Sequence, residues 1–262
     1  MSAQGDSSAG PIEHQRNPLL LKHLPPADIN RLIRSNPQLI IPVGTTEQHG
    51  PHLPLGCDTT IVERLSDDLS REFGVLRAPT LEYGVNAATM KPFPGAASLS
   101  GKTLHRVMND LIGSWEASGF EQFVIITAHS QEPHQEALCT IHTRHATVRT
   151  VDIFGVPFKG LSADADLPCH GGELDTSLLL FVDANLVNLE HAVEYSPSID
   201  VIRRYNRGSS AAIPKDCPGS LGHPDLASPE KGERLYHYIY ERIATRVFGR
   251  APGNEQTQID PT

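Results

Sequence analysis

The chain has 262 residues, 39% of them hydrophobic, and a formal net charge of −9. This length and composition predict one α/β domain with a sizeable core. The negative charge argues against general nucleic-acid binding, which depends on Lys and Arg, and no run approaches the ~18 apolar residues that cross a bilayer. Because the first residues also lack the basic and apolar regions of a signal peptide, we expect a cytoplasmic protein without a membrane partner.

Two polar tails flank the predicted domain. Residues 1–16 and 251–262 are small and polar and are predicted to be disordered, which leaves a single domain over residues 17–250. Within it, four apolar runs predict buried strands: Gln38 to Val43, Val75 to Leu81, Phe123 to Thr127 and Val148 to Phe154. Five segments predict helices: Thr60 to Phe73, one through Leu104 and Trp115, Pro133 to His145, Asp175 to Val187, and one opening at Ser228-Pro229.

The alternation of strands and helices predicts the architecture. Short connections between them favour a three-layer α/β sandwich, in which a mostly parallel central sheet is flanked by helices on both faces. Sites in such sheets form beyond the carboxyl ends of the strands. Glu47 and His49 follow the first predicted strand, and His129 follows the third. We therefore expect these side chains to meet at one edge of the sheet.

Carboxylates and imidazoles at this edge predict a divalent metal site. Glu47, His49 and Asp58 lie within twelve positions of one another, and their oxygen and nitrogen donors suit zinc, manganese or iron. Asp58 can bridge two ions, with His129 completing the first site and Glu173 the second. Two such ions acidify a bridging water and polarise a carbonyl oxygen. The pattern is typical of a metal-dependent hydrolase.

The remaining histidines divide into one functional candidate and several structural ones. His170 has a pKa suited to protonating a leaving nitrogen. His52 is a candidate for orienting ligands, although a structural role is equally consistent with its position. His134, His142 and His145 are expected to be solvated on a helix face. The four cysteines, Cys57, Cys139, Cys169 and Cys217, form no C-x-x-C pair and are expected to be free thiols, mainly buried as small hydrophobes.

The segment from Pro42 to Asp58, PVGTTEQHGPHLPLGCD, resembles the signature of the creatininase family of metal-dependent amidohydrolases. Weaker matches follow in order, including His170-Gly-Gly-Glu173, and the resemblance extends over roughly residues 20 to 250. It implies an α/β sandwich with a dinuclear site of zinc, manganese or iron, commonly in a hexamer. By position it implies that Glu47, His49, Asp58 and His129 bind metal, that Asp58 bridges, and that His170 has acid/base duties. Glu173 matches a glutamate that many members conserve beside that histidine.

Two departures from the family pattern affect the expected site. Gln131 occupies the place of a glutamate that binds the second metal in creatininase, so Glu173 or Glu132 supplies that ligand, or the site holds one ion. Asn86 opens a stretch that differs from the usual one and alters the predicted pocket. His52, Asn86, Gln131 and Glu132 are therefore candidate substrate contacts. Because Trp115 is the only tryptophan, the pocket tryptophans of creatininase are missing and creatinine is not the expected substrate.

The leading functional hypothesis is hydrolysis of a carbon–nitrogen bond in a small amide, lactam or formamide by metal-bound hydroxide. His170 is the predicted acid/base, and Glu173 assists it or binds metal. An alternative use of the same centre is cleavage of a short peptide, and another is carbon–carbon hydrolysis next to a ring ketone. A third reading is a metal-binding protein with degraded catalysis.

Overall fold

The computed structural model describes residues 17–86, 93–158, 160–162, 170–196, 198, 200, 203 and 217–251. The two predicted tails lie outside these ranges, apart from Ala251, as does Cys169. Within the described ranges, no helix combines the length and the apolarity that crossing a bilayer requires.

Five parallel strands form one sheet in the order β1-β3-β2-β4-β5. Their bounds are Leu19–Leu20 (β1), Gln38–Val43 (β2), Leu76–Arg77 (β3), Gln122–Thr127 (β4) and Thr147–Asp152 (β5). The prediction of a strand from Val75 to Leu81 is wrong in length, because the ladder stops after Arg77 and resumes only as a bridge between Leu81 and Val43. Pro79, which has no N–H to donate, lies in the interruption.

Six α-helices have both ends within the described residues: Pro26–Ser35 (α1), Cys57–Phe73 (α2), Gly101–Ala117 (α3), Glu132–Cys139 (α4), Glu173–Asp183 (α5) and Pro229–Phe248 (α6). Short 3-10 helices cover Leu21–His23, Ala184–Leu186, Leu189–His191 and Pro224–Leu226. The predicted start of the last helix is confirmed, since Ser228 caps α6 by accepting the backbone N–H of Lys231. The third predicted helix is shorter than expected and ends at Cys139, not His145.

The sheet separates two apolar cores, which confirms the predicted three-layer sandwich. Side chains of a strand alternate between the faces of a sheet. Ile40 of β2 packs on one face with α2, α5 and α6, whereas Leu39 and Ile41 pack on the other with α1, α3 and α4. Both central strands are thus apolar on both faces, as buried parallel strands are.

The carboxyl ends of β2 and β4 define a crevice at the edge of the sheet. These strands pair in register up to Val43 and Thr127. Beyond this point β2 leads to α2 on one face, and β4 leads to α4 on the opposite face. A reversal of this kind is where open α/β sheets place their ligands. The fold therefore directs the segments after β2 and β4 into the same crevice.

Candidate metal centre

The loop after β2 and the first turn of α2 carry three acidic and imidazole side chains into the crevice. The backbone N–H of Glu47 donates to the Leu55 carbonyl at 3.0 Å, which folds the loop back on itself. Asp58 lies in the first turn of α2, where the helix dipole favours a negative charge. Its Oδ2 accepts a hydrogen bond from Thr45 Oγ1 at 2.7 Å. Side chains from both ends of the loop are thereby held together.

Asp58 lies between two imidazoles. Its Oδ1 is 3.0 Å from His49 Nε2, and its Oδ2 is 3.3 Å from His129 Nδ1. Glu47 Oε2 is 3.1 Å from the same nitrogen of His129. All four residues are buried. The structure thus brings together Glu47, His49, Asp58 and His129, with the carboxylate of Asp58 facing both histidines as a bridging ligand would.

Backbone carbonyls fix the tautomer of each of these histidines. His49 Nδ1 is 3.1 Å from the carbonyl oxygen of Glu47, and His129 Nε2 is 3.0 Å from that of Val85. A carbonyl only accepts hydrogen bonds, so these two nitrogens carry the protons. In the neutral rings, the opposite nitrogens, which face Asp58, have the lone pairs that a metal requires.

The environment of the Glu47 carboxylate indicates that these residues fit a cation. It is fully buried, and neither oxygen accepts a hydrogen bond from the described residues, although His129 lies close to Oε2. A buried carboxylate without donors is costly, and a divalent cation would satisfy it. Three overlapping groups have ligand atoms within 4.8 Å of one another: Glu47, Asp58 and His129; His49, Cys57 and Asp58; and Glu47, His49 and His170. The residues fit a centre of one or two ions.

The same contacts shift the pKa values of the cluster in the metal-free protein. Burial raises the pKa of Glu47 to about 7, against the opposing effect of the two histidines. Burial disfavours a charge on His49 and on His129, but the neighbouring carboxylates outweigh it and raise their pKa values to about 10 and about 9. Despite its burial, Asp58 has a pKa well below its usual range because it faces both imidazoles. Protons on the histidines thus balance the carboxylates where cations would otherwise do so.

His170 stacks on the ring of His49, with the two centroids 4.3 Å apart. Its Nε2 lies 2.6 Å from the carbonyl oxygen of Gln48 and 3.1 Å from the side-chain Nε2 of the same residue. The shorter contact is to an oxygen that can only accept, which favours the tautomer with the proton on Nε2 and the lone pair on Nδ1. Burial, followed by the neighbouring charge on His49, lowers the pKa of His170 well below its usual value. His170 is therefore a neutral imidazole beside the candidate ligands.

Gly171 lets the segment of His170 approach the loop after β2. Its φ is +62°, a left-handed conformation that favours glycine. A Cβ at this position would lie 2.2 Å from the carbonyl oxygen of His49. The contact between the two segments therefore depends on the missing side chain.

Glu173 is placed in a different environment from the four predicted ligands. Its buried carboxylate forms an ion pair with Lys231 of α6 and accepts a hydrogen bond from Ser162 Oγ at 2.5 Å. None of the ligand groups found among the described residues includes it. Its predicted roles as a metal ligand and a catalytic residue stay predictions.

The four candidate substrate contacts also occupy distinct places. His52 Nε2 is 2.9 Å from Thr176 Oγ1 of α5, which ties the loop after β2 to that helix. Asn86 donates to the carbonyls of Thr46 and Ala97, while its buried Oδ1 has no hydrogen-bond partner among the described residues. Gln131 is buried at the N-cap of α4, and Glu132, the first residue of that helix, is exposed. His52, Asn86 and Gln131 thus share the burial of the cluster, whereas Glu132 does not.

Sequence reasoning missed the role of His134, and its predicted exposure is wrong. The side chain is fully buried. Its Nδ1 accepts the backbone N–H of Val85 at 3.2 Å, and its Nε2 is 3.1 Å from Thr127 Oγ1. Val85 is the residue whose carbonyl orients His129, so His134 supports a candidate ligand through the backbone.

Comparisons with known proteins agree with the fold and identify the family. The sequence profile of the Creatininase family, described as creatinine amidohydrolase, matches residues 22–247. The chain is 28% identical over 219 residues to the mycofactocin precursor peptide peptidase of Mycolicibacterium smegmatis, covering 80% of this chain and 84% of that protein. It is 25% identical over 236 residues to the creatinine amidohydrolase of Pseudomonas putida, covering 82% and 90%.

A solved creatininase structure has the same fold. It is a glutamate-to-glutamine mutant of the Zn-Zn type, and it superposes with a TM-score of 0.73 at 24% identity over 91% of this chain and all of that one. The family profile spans most of the chain, including β2, β4 and every residue of the candidate metal centre. This protein therefore belongs to the creatininase family.

Proposed function

We propose that this protein hydrolyses an amide carbon–nitrogen bond at a centre of divalent metal ions held by Glu47, His49, Asp58 and His129. The observation that carries the proposal is the position of Asp58, whose two carboxylate oxygens face two imidazoles with preset tautomers. The unsatisfied carboxylate of Glu47 beside them supports it. Up to two ions would be held, one by Glu47 and His129 and one by His49.

The bound ions would acidify a water molecule and polarise the substrate carbonyl. His170 would move the proton. Its Nε2–H is anchored on the carbonyl of Gln48, so Nδ1 accepts a proton from the attacking water and passes it to the leaving nitrogen. A neutral imidazole is the form that can begin this cycle, and burial keeps His170 neutral.

Small amides, lactams and formamides are the proposed substrates. A short peptide is the second candidate, because relatives over most of the chain are peptidases of the mycofactocin precursor. Both reactions break the same kind of bond, and the pocket around Asn86 and Gln131 is proposed to choose between them. Cleavage of a carbon–carbon bond is favoured less, since the 3-dehydro-scyllo-inosose hydrolase of Thermotoga maritima matches only 36% of this chain.

Metal analysis combined with a substrate panel tests the proposal. Purified protein should contain up to two divalent ions per chain, and chelation should abolish turnover of the amide or peptide that it cleaves. His49→Ala should lose metal, whereas His170→Ala should keep metal and lose rate. His237→Ala, on the exposed face of α6, is the control and should behave as wild type. Full activity in metal-stripped protein would rule the mechanism out.

Two further expectations stay predictions. Glu173 is paired with Lys231 in this structure, and anomalous scattering from the loaded protein would show whether it binds the second ion. A homo-oligomer, commonly a hexamer in the family, is expected, and light scattering would measure it.

A further inference from the structure

We propose that Cys57 is a metal ligand, binding the ion on the His49 side of the centre as a thiolate together with His49 and Asp58. The inference rests on the proposed metal-dependent function and adds a sulfur donor to it. When the ion binds, the thiol releases its proton to solvent and the sulfur donates an electron pair to the metal.

The position of Cys57 allows this contact. It is the first residue of α2, directly before the bridging Asp58, and it is fully buried. Its Sγ lies within 4.8 Å of the ligand atoms of both His49 and Asp58. In a tetrahedral zinc site, with a zinc–sulfur distance of about 2.3 Å and a zinc–nitrogen distance of about 2.05 Å, sulfur and nitrogen are separated by roughly 3.6 Å. A small contraction of the cluster is enough to close around an ion.

The balance of charge favours a thiolate on this side. The ion beside Glu47 and His129 has the carboxylates of both Glu47 and Asp58 within reach. The ion beside His49 has neutral imidazoles and must share both Asp58 and Glu47 with the first ion. Gln131, buried at the start of α4, offers a neutral amide. A thiolate from Cys57 supplies the missing negative charge.

The alternative is that Cys57 only fills space, because it also belongs to the apolar core on the face of α2, α5 and α6. The two readings differ in metal preference. A site with only oxygen and nitrogen ligands can bind manganese as well as zinc. A site with a soft thiolate ligand favours zinc over manganese. Cys57 as a ligand thus predicts that one of the two sites discriminates against manganese.

Cobalt substitution tests the proposal directly, because cobalt bound to a thiolate has a near-ultraviolet charge-transfer band. Wild-type protein stripped with a chelator and reloaded with Co²⁺ should show this band. Cys139→Ser, at the exposed end of α4, should keep it, and Cys57→Ser should lose it while the protein still binds cobalt through Glu47 and His129. Zinc X-ray absorption of the wild type should show a sulfur neighbour at about 2.3 Å, which decides the question even if the Cys57 variant does not fold.

Each outcome has a defined meaning. Cobalt binding without the band, a band that survives Cys57→Ser, or a zinc shell without sulfur would overturn the role of Cys57 and leave the proposed hydrolase intact. A wild-type protein that binds neither cobalt nor zinc would overturn the proposed metal-dependent function as well.

Discussion

Substitution of Gly171 by alanine should damage the proposed metal centre without replacing any candidate ligand. The added Cβ would lie 2.2 Å from the carbonyl oxygen of His49, about 0.8 Å short of the 3.0 Å that real Cβ contacts require. The backbone of His49 or of the segment carrying His170 must therefore move by nearly 1 Å. Because misplacement of that size costs on the order of 100-fold in a positioned site, we expect zinc affinity or turnover to fall by about 10- to 100-fold.

Gly74→Ala is the matched control for Gly171→Ala. Gly74 has nearly the same φ, +61°, but a Cβ there meets nothing within 4 Å. Both variants pay the left-handed strain of about 1 kcal/mol, which urea unfolding of the metal-free proteins should measure. Only Gly171→Ala should also weaken zinc binding in calorimetric titration. Wild-type zinc affinity in Gly171→Ala would refute the contact with His49 as a determinant of the site.

Three other predictions follow from the same geometry. Asp58→Asn removes the carboxylate that both imidazoles face, and we expect metal affinity to fall at least about 100-fold. Mass spectrometry of bound metal would show this loss, and a metal content equal to that of the wild type would contradict it. The pKa values of His49 and His129 are raised in the metal-free protein. The stability that these two groups contribute is therefore complete below about pH 6.5 and is lost as the pH rises through 9 to 10. Urea unfolding of metal-stripped protein should show this decline in the free energy of unfolding, and a flat profile across the window would be inconsistent with it. Lys231→Met should destabilise the fold by about 2 kcal/mol, because it leaves Glu173 buried without its cation. The double variant with Glu173→Gln should recover part of this loss. Equal unfolding midpoints for the wild type and both variants would argue against a stabilising ion pair between Lys231 and Glu173.

The parts of the fold that were predictable are those with a strong local pattern. β2 and β4 are continuous apolar runs, and the amphipathic spacing of α2, α3 and α6 marks their buried faces. β1 was not predicted, and the predicted length of β3 was wrong. Each of these strands pairs over only two residues, and so short a segment shows no periodicity. The end of α4 at Cys139 was also missed, since the sequence that follows has no strong helix-stopping residue.

The site was predictable where chemistry and topology agree, and less so where tertiary contacts decide. Glu47, His49 and His129 follow the ends of neighbouring strands, so the fold alone brings them together. The partner of Glu173 is Lys231, which is 58 positions away, and no spacing rule connects them. His134 was assigned to the solvent because its bond to the backbone of Val85 depends on a loop whose path the sequence does not reveal.

The use of carbonyl groups to orient His49 and His129 has a consequence for how this scaffold can change. A main-chain oxygen cannot be exchanged by substituting the residue that carries it, so the identity of Val85 can vary without reversing the imidazole it holds. Neighbouring side chains are thereby free to be replaced as new substrates are accommodated. The ring nitrogens that face Asp58 keep their orientation through such substitutions, so the proposed metal centre could stay intact while the pocket around it changes.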